Sequence, residues 1–249
     1  MDELIAVLTE IKALFNRSLS ELSIDCVVFG FHDNQLKVLL LRVKGSNAWS
    51  LPGGWIYKTE DVEHAAYRIL QERTGLDSIF LQQFYAFGAN QRYNGKEVMS
   101  RMGLPPEHNF FPERAVSIGY YALVEYSLVA PKTDLFTDEC RWWDVTEIPD
   151  LLFDHNDIVS TALKTLRRQF DYQPIGFNLL PEKFTLIELQ KLHETVLGHP
   201  LDRGNFQKKM LSYGFLERQE ERKTGGAHKA PYLYRFDAEK YETYLRDNE

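Results

Sequence analysis

Glu60, Arg68, Glu72 and Arg73 fall within GGWIYKTEDVEHAAYRILQERTGL (Gly53–Leu76), a strand end, a glycine loop and one amphipathic helix closed by Thr74-Gly75. Carboxylates on one helical face can hold magnesium, which prefers oxygen ligands in near-octahedral geometry. Such a site needs more than one carboxylate beside a substrate's phosphates. This stretch falls short. Ile69 supplies no oxygen, and Arg73 sets a permanent cation beside Glu72, where it pairs with the acid or repels a metal. Neither Glu60 nor Glu63 combines with Glu72 into a replacement cage. The residues predict a pocket that holds a molecule without cutting it: no catalytic residue, no metal site and no cofactor.

A second concentration of chemistry lies further along. Asp202 can cap a helix over Arg203–Ser212 whose Phe206, Met210 and Leu211 point inward, leaving Arg203, Asn205, Gln207, Lys208 and Lys209 outward. Arg at such a position suits guanine edges, and Asn or Gln suits adenine. Lys208 and Lys209, with Arg222, Lys223, His228 and Lys229 at a glycine-bearing tip, suit phosphates. The formal charge of −7 lies entirely before residue 175, whereas Arg203–Arg235 holds eight basic residues against three acidic. A polyanion coat over the whole surface is excluded; a basic module at one end is not.

The elements that position these groups follow from periodicity. Residues 2–16 place Leu4, Leu8, Ile11, Leu14 and Phe15 at helical spacing. Ile24–Phe31 and Leu36–Val43 read as strands joined by a hairpin at His32-Asp33-Asn34-Gln35. A helix is expected over Glu60–Glu72, with Ile69 in its apolar stripe, then a strand over Ile79–Ala89. Val98–Pro112 reads as a loop broken by Pro-Pro, followed by strands at Ala115–Tyr126 and Cys140–Val145. A helix opens at Asp154 and runs to about Phe170. Asp171–Pro181 is the expected linker. A capping box at Thr185–Glu188 then starts a helix to about Val196, and strands at Phe215–Arg218 and Tyr232–Phe236 flank the basic tip. Helix, turn, helix, hairpin is the layout of a winged helix-turn-helix. The expected fold class is α+β, with domains at 1–173 and 174–249. Lone Cys26 and Cys140 and the lack of a long apolar run predict buried thiols and a cytoplasmic chain away from membranes.

Gly54, Glu60, Arg68, Leu70, Glu72, Gly75 and Leu76 resemble the Nudix box of nucleoside-diphosphate hydrolases, in which Ile69 and Arg73 would be metal-binding Glu. With the segment Pro174–Pro181 and the winged-helix pattern, the chain resembles the Nudix-related regulators of the NrtR group, most closely the arabinose-responsive (AraR) branch of Bacteroidetes. The match also takes in Ile24–Phe31, Trp49–Gly54, Ala86–Ala89 with Arg92, Glu113–Ala122 and Phe153–His155, nearly all of the chain after Leu22. Two departures are a longer N-terminal helix and an insertion between Arg92 and Glu113.

The resemblance implies a Nudix α/β/α sandwich without hydrolase activity, a sugar effector such as L-arabinose, and a homodimer on palindromic operator DNA. Arg42, Trp49, Gly54, Lys58, Arg92, Asp154 and His155 are the candidate effector residues, polar groups taking sugar hydroxyls while Trp49 covers an apolar face. The rival expectation is a Nudix hydrolase, a pyrophosphatase of ADP-ribose or a sugar nucleotide. A third is a sensor that binds a protein partner in place of DNA.

Overall fold

The structure, a computed structural model, describes residues 9, 13–75, 80–108, 111–130, 132–133, 136–172, 175–222 and 231–247. The chain forms two compact units, one of Met1–Gly30 with Lys37–Thr165, the other of Phe31–Leu36 with Leu166–Glu249. Among the described residues no helix is long and apolar enough to cross a membrane.

In the first unit residues 13–17 are helical; most of the N-terminal helix expected over 2–16 lies outside the described residues. Strands β1 (Ser18–His32) and β2 (Gln35–Val43) are joined through Asp33 and Asn34, both with positive φ, as a two-residue hairpin turn demands. With β3 (Trp49–Ser50), β4 (Gly53–Tyr57), β5 (Phe80–Phe87), β6 (Val116–Glu125) and β7 (Thr137–Asp144) they form one sheet. Its main order is β3-β2-β1-β6-β5, with β4 also on β1 and β7 also on β2.

Helix α1 (Val62–Thr74) packs on this sheet and ends at Gly75, whose φ of 73° closes the helix in the left-handed region. Its buried stripe is Ala65, Ala66, Ile69 and Leu70. These meet Ile24, Cys26 and Val28 of β1 and Ile56 of β4 in one core cluster. Ile69 is 1% exposed, so the alkyl group that replaces an acid is part of the core. Full burial of such a side chain is worth about 1.5–3 kcal/mol.

The expected loop at Val98–Pro112 is corrected. It carries helix α2 (Gly95–Arg101), because Asn94 accepts hydrogen bonds from the backbone N–H of Lys96 and Glu97, and a 3-10 turn at Pro106–His108. Val98 and Met99 are buried against Val43, Ala48, Phe111 and Leu152, which overrides the local loop signal of the prolines. Helix α3 (His155–Tyr172) follows, and the division between the units falls inside it.

In the second unit a 3-10 stretch, Ile175–Leu179, precedes β8 (Lys183–Phe184). Helix α4 (Leu186–Leu197) starts with the expected capping box: Thr185 Oγ1 accepts from the Glu188 N–H while the Glu188 carboxylate accepts from the Thr185 N–H. Gly198, φ 79°, ends α4, and Asp202 caps α5 (Arg203–Ser212) by accepting from the Asn205 N–H. Strands β9 (Leu216–Arg222) and β10 (Tyr232–Phe236) complete a sheet ordered β8-β10-β9. Two elements went unforeseen, β8 and a closing helix α6 (Ala238–Asp247). The latter's Tyr241 packs on Phe215 and Phe236 with ring centroids 5.4 and 5.1 Å away.

Candidate functional site

Antiparallel pairing of β1 with β4 sets Asp25 opposite Gly53 and Ile24 opposite Gly54. Ser117 stands at the start of β6, Arg92 just beyond β5, and Asp154 and His155 at the head of α3. These chain ends converge on a cavity of about 380 Å³ in the first unit. That is a volume suited to a small ligand.

Its deep end is an ionic cluster. The Arg92 guanidinium donates to both Asp154 oxygens, at 2.6 and 2.7 Å, and stands 3.7 Å from Asp25. Ser117 Oγ donates to Asp25 Oδ2. His155 Nδ1 accepts from the Leu51 N–H at 2.9 Å, so Nε2 carries the ring proton and donates to Asp25 Oδ1 at 3.3 Å. Burial by itself would raise the Asp25 pKa. The interactions with His155, Ser117 and Arg92 outweigh it and hold the group below the usual carboxylate range. Two carboxylates thus share one guanidinium at the deep end.

The walls beside this cluster are aromatic. Tyr93, Phe111 and Phe153 stand edge to face, centroids 5.2, 5.3 and 6.1 Å apart. Phe153 has φ 56°, a left-handed conformation that costs a bulky residue about 1–3 kcal/mol. The strain buys the turn that sets Asp154 and His155 beside the cavity. The outer end is cationic. Arg68 donates to both Glu60 oxygens (2.6 and 2.8 Å) and to the Trp55 carbonyl, and its guanidinium lies 3.8 Å from the Tyr57 ring centroid. Arg17 bonds the Tyr57 hydroxyl and lies 4.6 Å from the same ring, and Arg73 lines the wall. Glu72, half exposed, lies 3.6 Å from Arg68. Among the described residues no group of three or more His, Cys, Asp or Glu is placed to hold a metal ion.

Of the candidate effector residues, Gly54, Arg92 and His155 line the cavity, and Asp154 braces it through Arg92. Arg42, Trp49 and Lys58 do not line it. Arg42 pairs with Asp138 and Glu139 across the sheet edge. Trp49 is buried edge-on to Trp143, and Lys58 donates to the Asn16 carbonyl. Asp25, Ser117, Arg17 and the aromatic wall went unforeseen. The available signal was Asp25 itself, a lone carboxylate inside an apolar strand, which burial obliges to find partners.

In the second unit Arg203, Asn205, Lys208 and Lys209 are exposed on α5, Gln207 is half-buried, and Phe206 and Met210 are buried. Leu211, expected inside, is 45% exposed. Lys223, His228 and Lys229 lie outside the described residues; Arg222 ends β9.

Both units have counterparts among known proteins. Residues 20–163 match the NUDIX domain and residues 176–236 the NrtR DNA-binding winged helix domain. An ADPR responsive transcriptional repressor NtrR of Acinetobacter baylyi is 28% identical over 228 residues, covering 89% of this chain and 84% of the relative. The crystal structure of Shewanella oneidensis NrtR complexed with a 27mer DNA superposes with a TM-score of 0.71 at 26% identity, covering 89% of this chain and 95% of that one. NrtR of the same organism without DNA gives 0.70 at 28% identity, covering 88% and 95%. The chain belongs to the NUDIX family and continues into an NrtR-type DNA-binding winged helix.

Proposed function

We propose that this protein is an effector-responsive transcriptional regulator whose Nudix unit senses ADP-ribose and whose winged helix binds operator DNA as part of a homodimer. The observation that carries the reading is a Nudix cavity in which Ile69 is core and Arg73 a cation, so the box keeps its shape and loses two of its three carboxylates. The name of the Acinetobacter baylyi relative supports the effector. ADP-ribose replaces the pentose expected from the arabinose-responsive resemblance. An uncharged pentose offers Arg17, Arg68 and Arg73 only neutral hydroxyl acceptors, whereas a diphosphate offers charge-assisted ones. The domain limits we propose, 1–173 and 174–249, follow the end of α3. Effector control requires ADP-ribose to bind one dimer arrangement more tightly than another. The pyrophosphatase alternative rests on Glu72 alone.

The test is an anisotropy titration of DNA from upstream of the protein's own coding region, with and without ADP-ribose. Specific binding should weaken steeply with salt and respond to ADP-ribose. Absence of any specific complex would favour the protein-partner reading. Within this assay Arg203→Ala should relax sequence choice at one position by about 1–3 kcal/mol. Lys208→Ala should weaken all sequences alike and lower the salt slope by about one. Equal behaviour of the two variants would contradict the roles assigned to them.

A further inference from the structure

We infer that the second unit has a ligand site of its own, a pocket beside α5 that takes a small neutral aromatic molecule carrying one hydroxyl group. The pocket, of about 230 Å³, is formed by the end of α3, by α4 and by α5, all within this unit. Phe170, His193, Phe206 and Met210 are its buried lining, and Asp202 and Lys209 stand exposed at its rim. The His193 ring centroid lies 5.0 Å from those of Phe170 and Phe206, with planes inclined by 60° and 64°. Aromatic walls of this kind favour another ring, set edge to face or offset. An apolar cavity of about 150 Å³ takes a benzene molecule, so this pocket has room for one ring and a substituent.

His193 selects the substituent. Among the described residues its Nε2 has no hydrogen-bond partner, although the residue is only 3% exposed. A buried polar atom left without a partner is destabilising, and a purely apolar side chain would fill the same place without that cost. Burial first, and Lys209 second, push the His193 pKa down to about 4, so the ring is neutral at physiological pH. A neutral imidazole presents at Nε2 either a lone pair or an N–H. A hydroxyl answers both, donating to the one or accepting from the other, whereas a carboxylate answers only the N–H and an ammonium only the lone pair. The rim gives no preference for an ion, because Asp202 and Lys209 carry opposite charges. One Asp202 oxygen is also occupied, accepting from the Asn205 N–H. Leu197, Leu201 and Tyr213 complete the apolar cover for the ring.

The test is an NMR titration of the full chain, labelled at its methionine methyl groups and histidine ring nitrogens, with phenol, toluene and benzoate. Met210 lines this pocket and Met102 lines the cavity of the first unit, so the two methyl signals separate the sites. Phenol should shift Met210 saturably, leave Met102 in place and move the His193 Nε2 signal. Toluene has the same shape without the hydrogen bond; it should move Met210 and spare Nε2. His193→Phe keeps a ring between Phe170 and Phe206, and in this variant the affinity ratio of phenol to toluene should fall about tenfold, the size of one hydrogen bond. If the variant does not fold, the Nε2 signal of the wild type decides between phenol and toluene by itself. Met210 unmoved by phenol, Met102 moving in its place, or an Nε2 signal that phenol leaves unchanged would each overturn the site. So would an unaltered ratio in His193→Phe, or benzoate binding more tightly than phenol.

Discussion

Gly53→Ala is expected to destabilise the first unit by about 2–3 kcal/mol and to abolish ADP-ribose binding. A Cβ at this position would lie 2.5 Å from Asp25 Oδ1 and 2.9 Å from the Ile24 carbonyl oxygen. The carbonyl belongs to a strand and cannot yield without breaking register. Asp25 cannot swing aside either, since Oδ1 accepts from His155 and Oδ2 from Ser117. The methyl group must therefore part β4 from β1 at the deep end of the cavity. Gly54→Ala is the useful contrast. Its Cβ would meet Cδ1 and Cγ1 of the Ile69 side chain at 3.3 Å, a contact that a shift of a few tenths of an ångström relieves. Urea denaturation and ADP-ribose titration check both. Loss below about 0.5 kcal/mol for Gly53→Ala, the size of an ordinary surface change, would show that the approach of β4 to Asp25 is not tight.

The second large effect is expected from Arg92→Met. Removing this guanidinium leaves Asp25 and Asp154 facing each other without a cation, and breaking a buried pair in this way costs about 3–5 kcal/mol. The loss should depend on pH in a defined direction. Asp25 has its pKa lowered in the folded protein by interactions that outweigh burial, with Arg92 among them. Its contribution to stability is therefore present above the unfolded value, about 3.9, and is lost as pH falls through the folded value. In Arg92→Met part of that lowering disappears. The gap between variant and wild type should then be widest near neutral pH and narrow below about pH 4, where unfolded carboxylates are protonated anyway. A gap that stays constant as pH falls from neutral to well below about 3.9 would assign the loss to packing. Combining Arg92→Met with Asp154→Leu should restore part of the stability, because an apolar pair can replace a buried ionic one.

Much of this architecture is legible in residue order. The Asp33-Asn34 turn, the stripe of α1, and the capping box of α4 are local signals that tertiary packing reinforces. The convergence of Arg92, Asp154 and His155 came through resemblance rather than periodicity. Asp25 and Ser117 were not legible because they meet across 92 positions of sequence, which no local pattern encodes. Arg42 shows a subtler limit. Leu41 and Val43 line the cavity, so the period of two along β2 turns Arg42 to the opposite face, where Asp138 and Glu139 receive it. A strand read without its facing assignment gives the right neighbourhood and the wrong side. Residues 98–112 illustrate the reverse error: the Pro-Pro break reads as a loop, yet Val98 and Met99 belong to a helix and are buried with Phe111 and Leu152.

The most direct measurement is chromatographic. The full chain is incubated with ADP-ribose and magnesium, protein-bound ligand is separated from free, and both fractions are analysed for ADP-ribose, AMP and ribose 5-phosphate. The proposed reading predicts stoichiometric, saturable retention of intact ADP-ribose, because Ile69 and Arg73 leave Glu72 as the sole carboxylate at the three box positions on α1. AMP and ribose 5-phosphate accumulating in equal amounts over many turnovers, and ceasing when Glu72 is changed to Gln, would contradict it.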